Sequence, residues 1–151
     1  MRTPRRSWTV LLDRTIGRVL YRWHLHLYRL TRGTIGHRTP LGPILLLSVT
    51  GRRTGLERTT PLLYCELEGR IFVVGSNGGR PNPPQWLLNV EAGPDVHVQI
   101  GAKRSAARAR ELTFEEQSAL WPALTEFYAG WAHYQTLTSR PIRVIEVTRT
   151  P

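Results

Sequence analysis

Two short turns carry the residues best suited to binding chemistry. The first is Thr50-Gly-Arg-Arg-Thr-Gly55, with two glycines, two arginines and a threonine hydroxyl. Glycine allows a ligand to approach the backbone closely, and guanidinium groups pair with phosphate or carboxylate through two parallel hydrogen bonds. The second is Ser76-Asn-Gly-Gly-Arg80, which offers a hydroxyl, backbone amides and another arginine. Each pattern alone is common in ordinary turns, but both favour an anionic ligand.

Several other kinds of site are not indicated. The turn at residues 50–55 lacks the glycine spacing and the Lys-Ser/Thr pair of a nucleotide-binding P-loop. The five histidines are scattered, and no Ser/His/acid order, carboxylate pair or Cys/His pair suits catalysis. The single cysteine, Cys65, excludes an internal disulfide framework, and no Cys/His cluster has the spacing of a metal site. We therefore expect no metal, and a reducing cytoplasmic compartment.

Three aromatic residues near the C-terminus, Tyr128, Trp131 and Tyr134, are spaced three positions apart. That spacing predicts one shared helical face. Core packing is the ordinary role of such a stripe. The Tyr134 phenol would also suit a hydrogen bond or a proton donation beside a substrate.

The rest of the chain must supply the elements that position these groups. Apolar runs, alternating patterns and hairpin turns predict six strands, at residues 44–49, 58–67, 70–75, 96–100, 103–112 and 142–147. Residues 76–84 hold two glycines and three prolines and predict a loop, from which Pro83-Pro84 opens a short helix that ends near Gly93. Thr113-Phe-Glu-Glu116 is a capping box that opens another helix. A chain of 151 residues suits one core, so we expect an α+β barrel, closed or split, with flanking helices.

The net charge of +10 is concentrated at the N-terminus. Residues 1–38 hold nine arginines and one acid, whereas residues 39–151 hold twelve basic and ten acidic residues. We divide the chain accordingly into a basic N-terminal helix, 1–38, and a barrel domain, 39–151. Apolar residues recur in the helix every three or four positions, with a second, basic row roughly opposite. The apolar row is Trp8, Leu12, Ile16, Val19, Leu20, Trp23, Leu27 and Leu30, and the basic row is Arg14, Arg18, Arg22 and His26.

Such a helix has two interpretations, which the sequence leaves open. It suits the surface of an anionic membrane, contacted through residues 7–31, which would place the protein at the cytoplasmic face. Alternatively, its apolar face packs on the barrel domain or on a second subunit, and the oligomeric state is not indicated. Charged residues interrupt every apolar stretch, so neither a membrane span nor a signal peptide is predicted. No recognition motif surrounds the arginines, so nucleic acid is not an expected partner.

The two turns, taken in order with other motifs, resemble the deazaflavin-dependent nitroreductase family, whose members are also described as reduced-deazaflavin-dependent quinone reductases. The resemblance covers about residue 44 to the end, and the N-terminal helix matches in character only. Besides the two turns, it is carried by Pro61, by Pro84-Gln-Trp-Leu-Leu-Asn89, by Gly93-Pro-Asp-Val-His-Val-Gln-Ile100, by Trp121-Pro122 and by the aromatic residues at 128–134.

Membership of this family implies a split β-barrel related to the FMN-binding, pyridoxamine-phosphate-oxidase-like fold. It also implies coenzyme F-420, an 8-hydroxy-5-deazaflavin with a phosphate and an oligoglutamate tail, in preference to FMN. The resemblance implies that the phosphate and tail are bound by Arg52, Arg53 and Thr54. It implies that the ring lies against Pro61, Ser76, Asn77, Gly78 and Gly79, and that Trp86 and Asn89 close the groove. The family has Lys where this chain has Asn77, and we expect Arg80 to supply the nearby positive charge.

The implied activity is hydride transfer from the reduced deazaflavin to a quinone or nitro-substituted acceptor. The resemblance places Tyr128, Trp131 and Tyr134 on the acceptor side, with Ser76 or Tyr134 assisting protonation. An alternative of a different class is a non-catalytic split-barrel protein that binds a flavin-like or tetrapyrrole ligand.

Overall fold

Six antiparallel strands form a closed barrel. The computed structural model describes Trp23, residues 25–28, residues 30–31 and residues 38–151. The barrel strands are adjacent in the order β2-β3-β4-β7-β6-β5, and β5 pairs back with β2 to close the ring. They are β2 (Gly42–Thr50), β3 (Glu57–Leu67), β4 (Arg70–Val74), β5 (Asp95–Ile100), β6 (Lys103–Glu111) and β7 (Val144–Arg149). The predicted barrel with flanking helices is confirmed, and each predicted strand ends within about two residues of an observed one.

The barrel interior is built from alternate residues of the strands. In β2, for example, Leu45, Leu47 and Val49 are fully buried in one apolar cluster. Helix α1 (Gln85–Ala92) adds Trp86 and Leu87 to this cluster. Because side chains alternate between the two faces of a strand, the same alternation that predicted the strands also fills the barrel. The turns that follow β2 and β4 are therefore attached to well-packed strands.

A second core lies outside the barrel. Phe72 and Val74 alternate with inward-facing neighbours in β4 and pack with Leu124 and Trp131. These last two residues belong to helices α2 (Phe114–Phe127) and α3 (Gly130–Thr136). Helix α2 begins with the predicted capping box, which has both of its hydrogen bonds, between Thr113 and Glu116. This second core fixes the two C-terminal helices against the barrel wall.

The prediction that Tyr128, Trp131 and Tyr134 share one helical face is wrong. The backbone of Tyr128 is extended, with φ −144° and ψ 99°, so it ends α2 rather than continuing it. A new helix, α3, then begins at Gly130. The Tyr128 ring occupies the space where a side chain at Gly130 would begin, so the break depends on that glycine. The three aromatic residues nevertheless cluster, with the Tyr128 ring 5.4 Å from that of Trp131 and 6.3 Å from that of Tyr134.

The described part of the N-terminal helix docks on the barrel through one tyrosine. Residues 25–28 are helical, and the Tyr28 side chain is fully buried. Its hydroxyl donates to the carbonyl oxygen of Ile44, at 3.2 Å, and accepts from the backbone N–H of Gly101, at 2.9 Å. Tyr28 is not a member of the predicted apolar row.

The apolar row itself faces solvent where it is described. Trp23 is 64% exposed, Leu27 is 44% exposed and Leu30 is 81% exposed. The remainder of the predicted row and most of the basic row lie outside the described residues. The division of the chain between residues 38 and 39 stays a prediction. A two-residue strand that was not predicted, β1 (Arg38–Thr39), pairs with the start of β2. Among the described helices, none has both the length and the apolar character needed to cross a bilayer.

Candidate functional site

The turn between β2 and β3 presents Arg52 in a fixed position. Its backbone N–H and its guanidinium both donate to the Asn89 side-chain oxygen, at 3.2 and 3.0 Å. The guanidinium also donates twice to the Gln85 side-chain oxygen, at 3.2 and 3.1 Å. Both acceptors are neutral amides on α1, so they orient the guanidinium without neutralising it. Asn89 and Gln85 therefore both hold the Arg52 side chain in place.

A cavity of about 560 Å³ lies beside this turn, and we call it the arginine cavity. Arg52, Arg53 and Arg58 line it, and no other described residue pairs with the guanidinium of Arg53 or Arg58. The one carboxylate among its described lining residues, Glu57, is paired with Arg104 at 2.6 Å. The cavity therefore has an excess of positive charge, which favours an anionic ligand.

A second cavity, of about 660 Å³, adjoins the first and contains the aromatic cluster. We call it the aromatic cavity. Thr60 and Trp86 line both cavities, so the two cavities are adjacent, and we call them together the groove. The predicted residues that line the aromatic cavity are Pro61, Ser76, Asn77, Gly78, Trp86, Tyr128, Trp131 and Tyr134. The groove thus has a cationic end and an aromatic end.

Hydroxyl groups in the aromatic cavity are available for hydrogen bonding. Ser76 is only 9% exposed, and its hydroxyl makes no hydrogen bond with another described residue. A buried hydroxyl without a partner is costly, so this atom is suited to a ligand. The Tyr128 and Tyr134 hydroxyls lie 3.2 Å apart. The hydrogen bond with the Tyr134 hydroxyl and burial raise the pKa of Tyr128.

Two residues predicted to contact the ring also make contacts within the protein. Gly79 is not among the lining residues of either cavity. It lies on the side of the turn that faces α3, where a β-carbon would be 2.7 Å from the Tyr134 carbonyl oxygen. Asn77 adopts a positive φ of 47°, and its side-chain amide donates to the Asn82 carbonyl oxygen at 2.9 Å. These contacts fix the shape of the Ser76–Arg80 turn. The roles assigned to individual site residues stay predictions.

A family model described as "F420H(2)-dependent quinone reductase" matches residues 20–149. The chain belongs to this family. An F420H(2)-dependent quinone reductase of Mycobacterium tuberculosis is 40% identical over 142 residues, which are 91% of this chain and 95% of the relative. A second, putative member from the same organism is 38% identical over 110 residues, covering 73% of this chain and 92% of its own. The family, the enzyme class and the deazaflavin cofactor expected from the motifs are confirmed.

Solved structures agree with this assignment. An F420-H2 dependent reductase has a TM-score of 0.63 and 42% identity, covering 70% of this chain and 93% of that one. A structure described as a domain-swapped dimer has a TM-score of 0.66 and 36% identity, covering 93% of this chain and 99% of that one. HutZ, a heme storage protein from Vibrio cholerae, shares only 13% identity at a TM-score of 0.53, with 72% and 82% covered. That last likeness shows the split-barrel fold alone.

Sequence reasoning missed three residues that the structure brings to the site. Arg58 lines the arginine cavity from the start of β3. Its closeness in sequence to Arg52 and Arg53 could have indicated that it belongs to the same site. Gln85 holds Arg52, and nothing in the pattern of α1 indicates that contact. Arg140 contacts the Ser76–Arg80 turn across 60 to 64 residues of sequence, which no local pattern reveals.

Proposed function

We propose that this chain transfers a hydride from reduced F-420 to a quinone bound in the aromatic cavity. The observation that carries the proposal is the pair of adjacent cavities, with three arginines that have no described acidic partner in one and two tyrosine hydroxyls beside Trp131 in the other. F-420 has matching chemistry, since a planar ring is joined to a phosphate and a carboxylate tail. Family membership supports the same conclusion.

The arginine cavity would hold the anionic part of the cofactor. Arg52 is already oriented by Gln85 and Asn89, so its binding costs little conformational entropy. Arg53 and Thr54 lie on the same turn, and Arg58 faces the same space. Several guanidinium groups around one cavity suit a polyanion better than a single site would, because each forms directional paired hydrogen bonds.

The aromatic cavity would hold the ring and the acceptor. Pro61, Gly78 and Trp86 provide flat or close-fitting surfaces for the ring. A deazaflavin, when bound, supplies a hydride rather than single electrons. The protein must then orient the acceptor, exclude water and supply a proton.

Ser76 and Tyr134 are the proposed catalytic residues. Reduction of a quinone to a hydroquinone by one hydride also needs one proton. The Ser76 hydroxyl, which has no partner among the described residues, and the Tyr134 phenol line the same cavity and would donate hydrogen bonds to the acceptor oxygens. Tyr128 would hold the Tyr134 hydroxyl through their mutual hydrogen bond. The proton would reach the acceptor oxygen from these groups or from water that they hold.

The first test is titration of the protein with oxidised F-420, followed by quenching of tryptophan fluorescence, because Trp86 lines both cavities. We expect saturable binding and a roughly tenfold or larger loss of affinity in Arg53→Ala, from loss of a charge-assisted contact. Arg108→Ala is the matched control, since Arg108 pairs with Asp95 away from the groove and should leave affinity unchanged. Equal affinities for the wild type and Arg53→Ala would remove Arg53 from the cofactor site.

Turnover distinguishes catalysis from ligand storage. Oxidation of reduced F-420 is followed in the presence of a short-chain quinone and, separately, of a nitroaromatic compound. We expect quinone-dependent oxidation, and reduction of the nitroaromatic would extend the acceptor class. Tight binding with no acceptor-dependent oxidation would instead support the non-catalytic alternative.

We further propose that the exposed apolar row, together with the basic residues of the N-terminal segment, contacts an anionic membrane. Trp23, Leu27 and Leu30 are exposed although Tyr28 docks the same helix on the barrel. Leu25, on this helix, lines the arginine cavity, so the segment lies beside the groove. Contact with a bilayer would bring the groove close to lipid-soluble quinones.

A further inference from the structure

Arg140 makes a set of contacts that the proposed chemistry does not use. This residue lies in the connection between α3 and β7, and its half-buried guanidinium donates to three backbone carbonyl oxygens. The Nη2 group donates to Ser76 at 2.7 Å, Nη1 donates to Gly75 at 3.1 Å, and Nε donates to Arg80 at 3.0 Å. These three carbonyls come from the start and the end of the turn that lines the aromatic cavity.

The guanidinium has no acidic partner in the described part of the chain. Burial and the neighbouring Arg143 lower the pKa of Arg140, so its environment is unfavourable to the charge. Among the described residues, three carbonyl dipoles contact this guanidinium and partly offset the cost of its burial. The position of Arg140 is therefore explained by its hydrogen bonds to the carbonyl oxygens of Gly75, Ser76 and Arg80.

The connection that carries Arg140 is itself tied to α3 by Gln135. The Gln135 amide donates to the carbonyl oxygens of Arg140, at 3.0 Å, and Thr138, at 3.2 Å. Its side-chain oxygen accepts from the Ile142 N–H at 2.9 Å. Helix α3 also carries Trp131 and Tyr134, so the acceptor side of the groove is joined to the ring side through this chain of hydrogen bonds.

Direct packing supports the same connection. A β-carbon at Gly79 would lie 2.7 Å from the Tyr134 carbonyl oxygen and 2.8 Å from the Leu137 β-carbon. The turn and α3 therefore touch through backbone at the point that Arg140 holds. An error of even 1 Å in such a site reduces hydride transfer strongly, because the reacting atoms must lie close together.

We propose that Arg140 is a positioning residue that holds the Ser76–Arg80 turn against α3 and so presets the distance between the deazaflavin ring and the acceptor. The trans peptide points its C=O and its N–H in opposite directions, so anchoring the Ser76 carbonyl also fixes the Asn77 N–H. The Ser76 hydroxyl is oriented with the same backbone. This inference rests on the proposed function only for the identity of the ligand that the turn contacts.

The first test is hydrogen exchange of the cofactor-free protein. Arg140→Met removes the donors and keeps much of the apolar stem, and Arg140→Lys keeps the charge but not three directed donors. We expect amide exchange at residues 77–80, including the Gly79 N–H that bonds the Ser76 carbonyl, to rise at least about tenfold in both variants. Arg143→Met is the matched control, since Arg143 is three residues away and pairs with Glu91 and Glu111 instead.

The second test is the effect on ligand affinity and turnover. In Arg140→Met we expect the dissociation constant of oxidised F-420 to rise about tenfold and kcat to fall further, with partial recovery in Arg140→Lys. A melting temperature that changes as little as in the Arg143→Met control would separate this from general destabilisation. If Arg140→Met does not fold, Arg140→Lys carries both tests.

Unchanged exchange at residues 77–80 in a folded variant would overturn the inference, whatever the ligand. Increased exchange with unchanged F-420 affinity and unchanged kcat would also overturn it, because the turn would then be held without functional consequence. Failure of the wild type to bind F-420 would overturn the proposed function instead, and the exchange result would still decide whether Arg140 holds the turn.

Discussion

Gly130 shows how a single atom shapes the acceptor side of the site. The Tyr128 ring lies where a β-carbon on residue 130 would be. That ring packs edge-on against Trp131, and its hydroxyl bonds Tyr134. The absent side chain at residue 130 therefore permits Tyr128, in the connection after α2, and two aromatic residues of α3 to line one cavity.

Gly130→Ala should displace Tyr128 and break its hydrogen bond to Tyr134. We expect a stability loss of about 1 to 3 kcal/mol from overpacking. The KM for a short-chain quinone should rise severalfold, because Tyr128 is proposed to lie on the acceptor side of the aromatic cavity. F-420 affinity should change less than KM, because Tyr128 does not line the arginine cavity that would hold the anionic part of the cofactor. Steady-state kinetics and thermal melting measure both effects.

Gly93→Ala is the matched control, since a β-carbon there would meet nothing within 4 Å. Adding Tyr128→Ala to Gly130→Ala should recover part of the lost stability, because the clash is removed. An unchanged KM in Gly130→Ala would exclude Tyr128 from acceptor binding.

Residue types at the site were predictable, but their partners were not. The turn at residues 50–55 indicated anion binding because its glycines and arginines are adjacent in sequence. Its orientation depends on Gln85 and Asn89, more than 30 residues away, through amides that any exposed helix could carry. The position of the Ser76 hydroxyl likewise depends on Arg140, which no local pattern connects to it.

Among the larger elements, the first turn of α2 is tied to the barrel by an ionic network. Glu116 accepts from the Thr113 N–H and pairs with Arg110 on β6 at 2.7 Å. Arg110 also pairs with Glu146 on β7, at 2.6 Å, and Glu146 pairs with Arg70 on β4. The Arg110 guanidinium and the Thr113 N–H lower the pKa of Glu116 to about 2.

This network should make stability fall in acid. A carboxylate with a lowered folded-state pKa stabilises the fold above its unfolded pKa, which is near 4.5, and loses that contribution as pH falls toward about 2. Glu116→Gln should therefore lower the melting temperature at pH 7 and flatten its decline between pH 4.5 and 2. Circular dichroism melts across this range measure the effect. Glu115→Gln, in the same turn but without the Arg110 pair, is the control, and parallel pH curves for Glu116→Gln and the wild type would contradict the prediction.

Elements with a strong period were predictable, and those defined by a single contact were not. The strands were found because alternate residues fill the barrel, and α2 was found from its capping box. The break at Tyr128 was missed because the spacing of three continues across it, and only the ring packing at Gly130 reveals it. The strand β1 was missed because two residues carry no periodic signal.

Over the whole molecule, the net charge and the docking of the N-terminal segment belong together. The barrel domain is nearly neutral, and most of the positive charge precedes residue 39. The sequence left open whether this segment packs on protein or on a membrane. Tyr28 packs on the barrel, while Trp23, Leu27 and Leu30 remain exposed on the same helix. One helix can therefore dock on the barrel and still present an apolar surface to a bilayer.

Replacing the exposed row, in a Trp23→Ala, Leu27→Ala and Leu30→Ala triple variant, should reduce binding to vesicles that contain phosphatidylglycerol. Each buried side chain of this size contributes about 1.5 to 3 kcal/mol, so the partition coefficient should fall by at least about tenfold per residue. F-420 affinity should be unchanged because none of the three lines the groove.

Phe114→Ala is the matched control, since Phe114 is an apolar residue that is 82% exposed on α2, outside the N-terminal segment. Vesicle co-sedimentation measures binding, and turnover of a long-chain quinone in the vesicles should fall in the triple variant while turnover of a short-chain quinone stays constant. Equal co-sedimentation of the wild type and the triple variant would reject the membrane surface. Sedimentation velocity that showed a wild-type dimer lost in the triple variant, without vesicle binding by either, would assign the row to a second subunit instead.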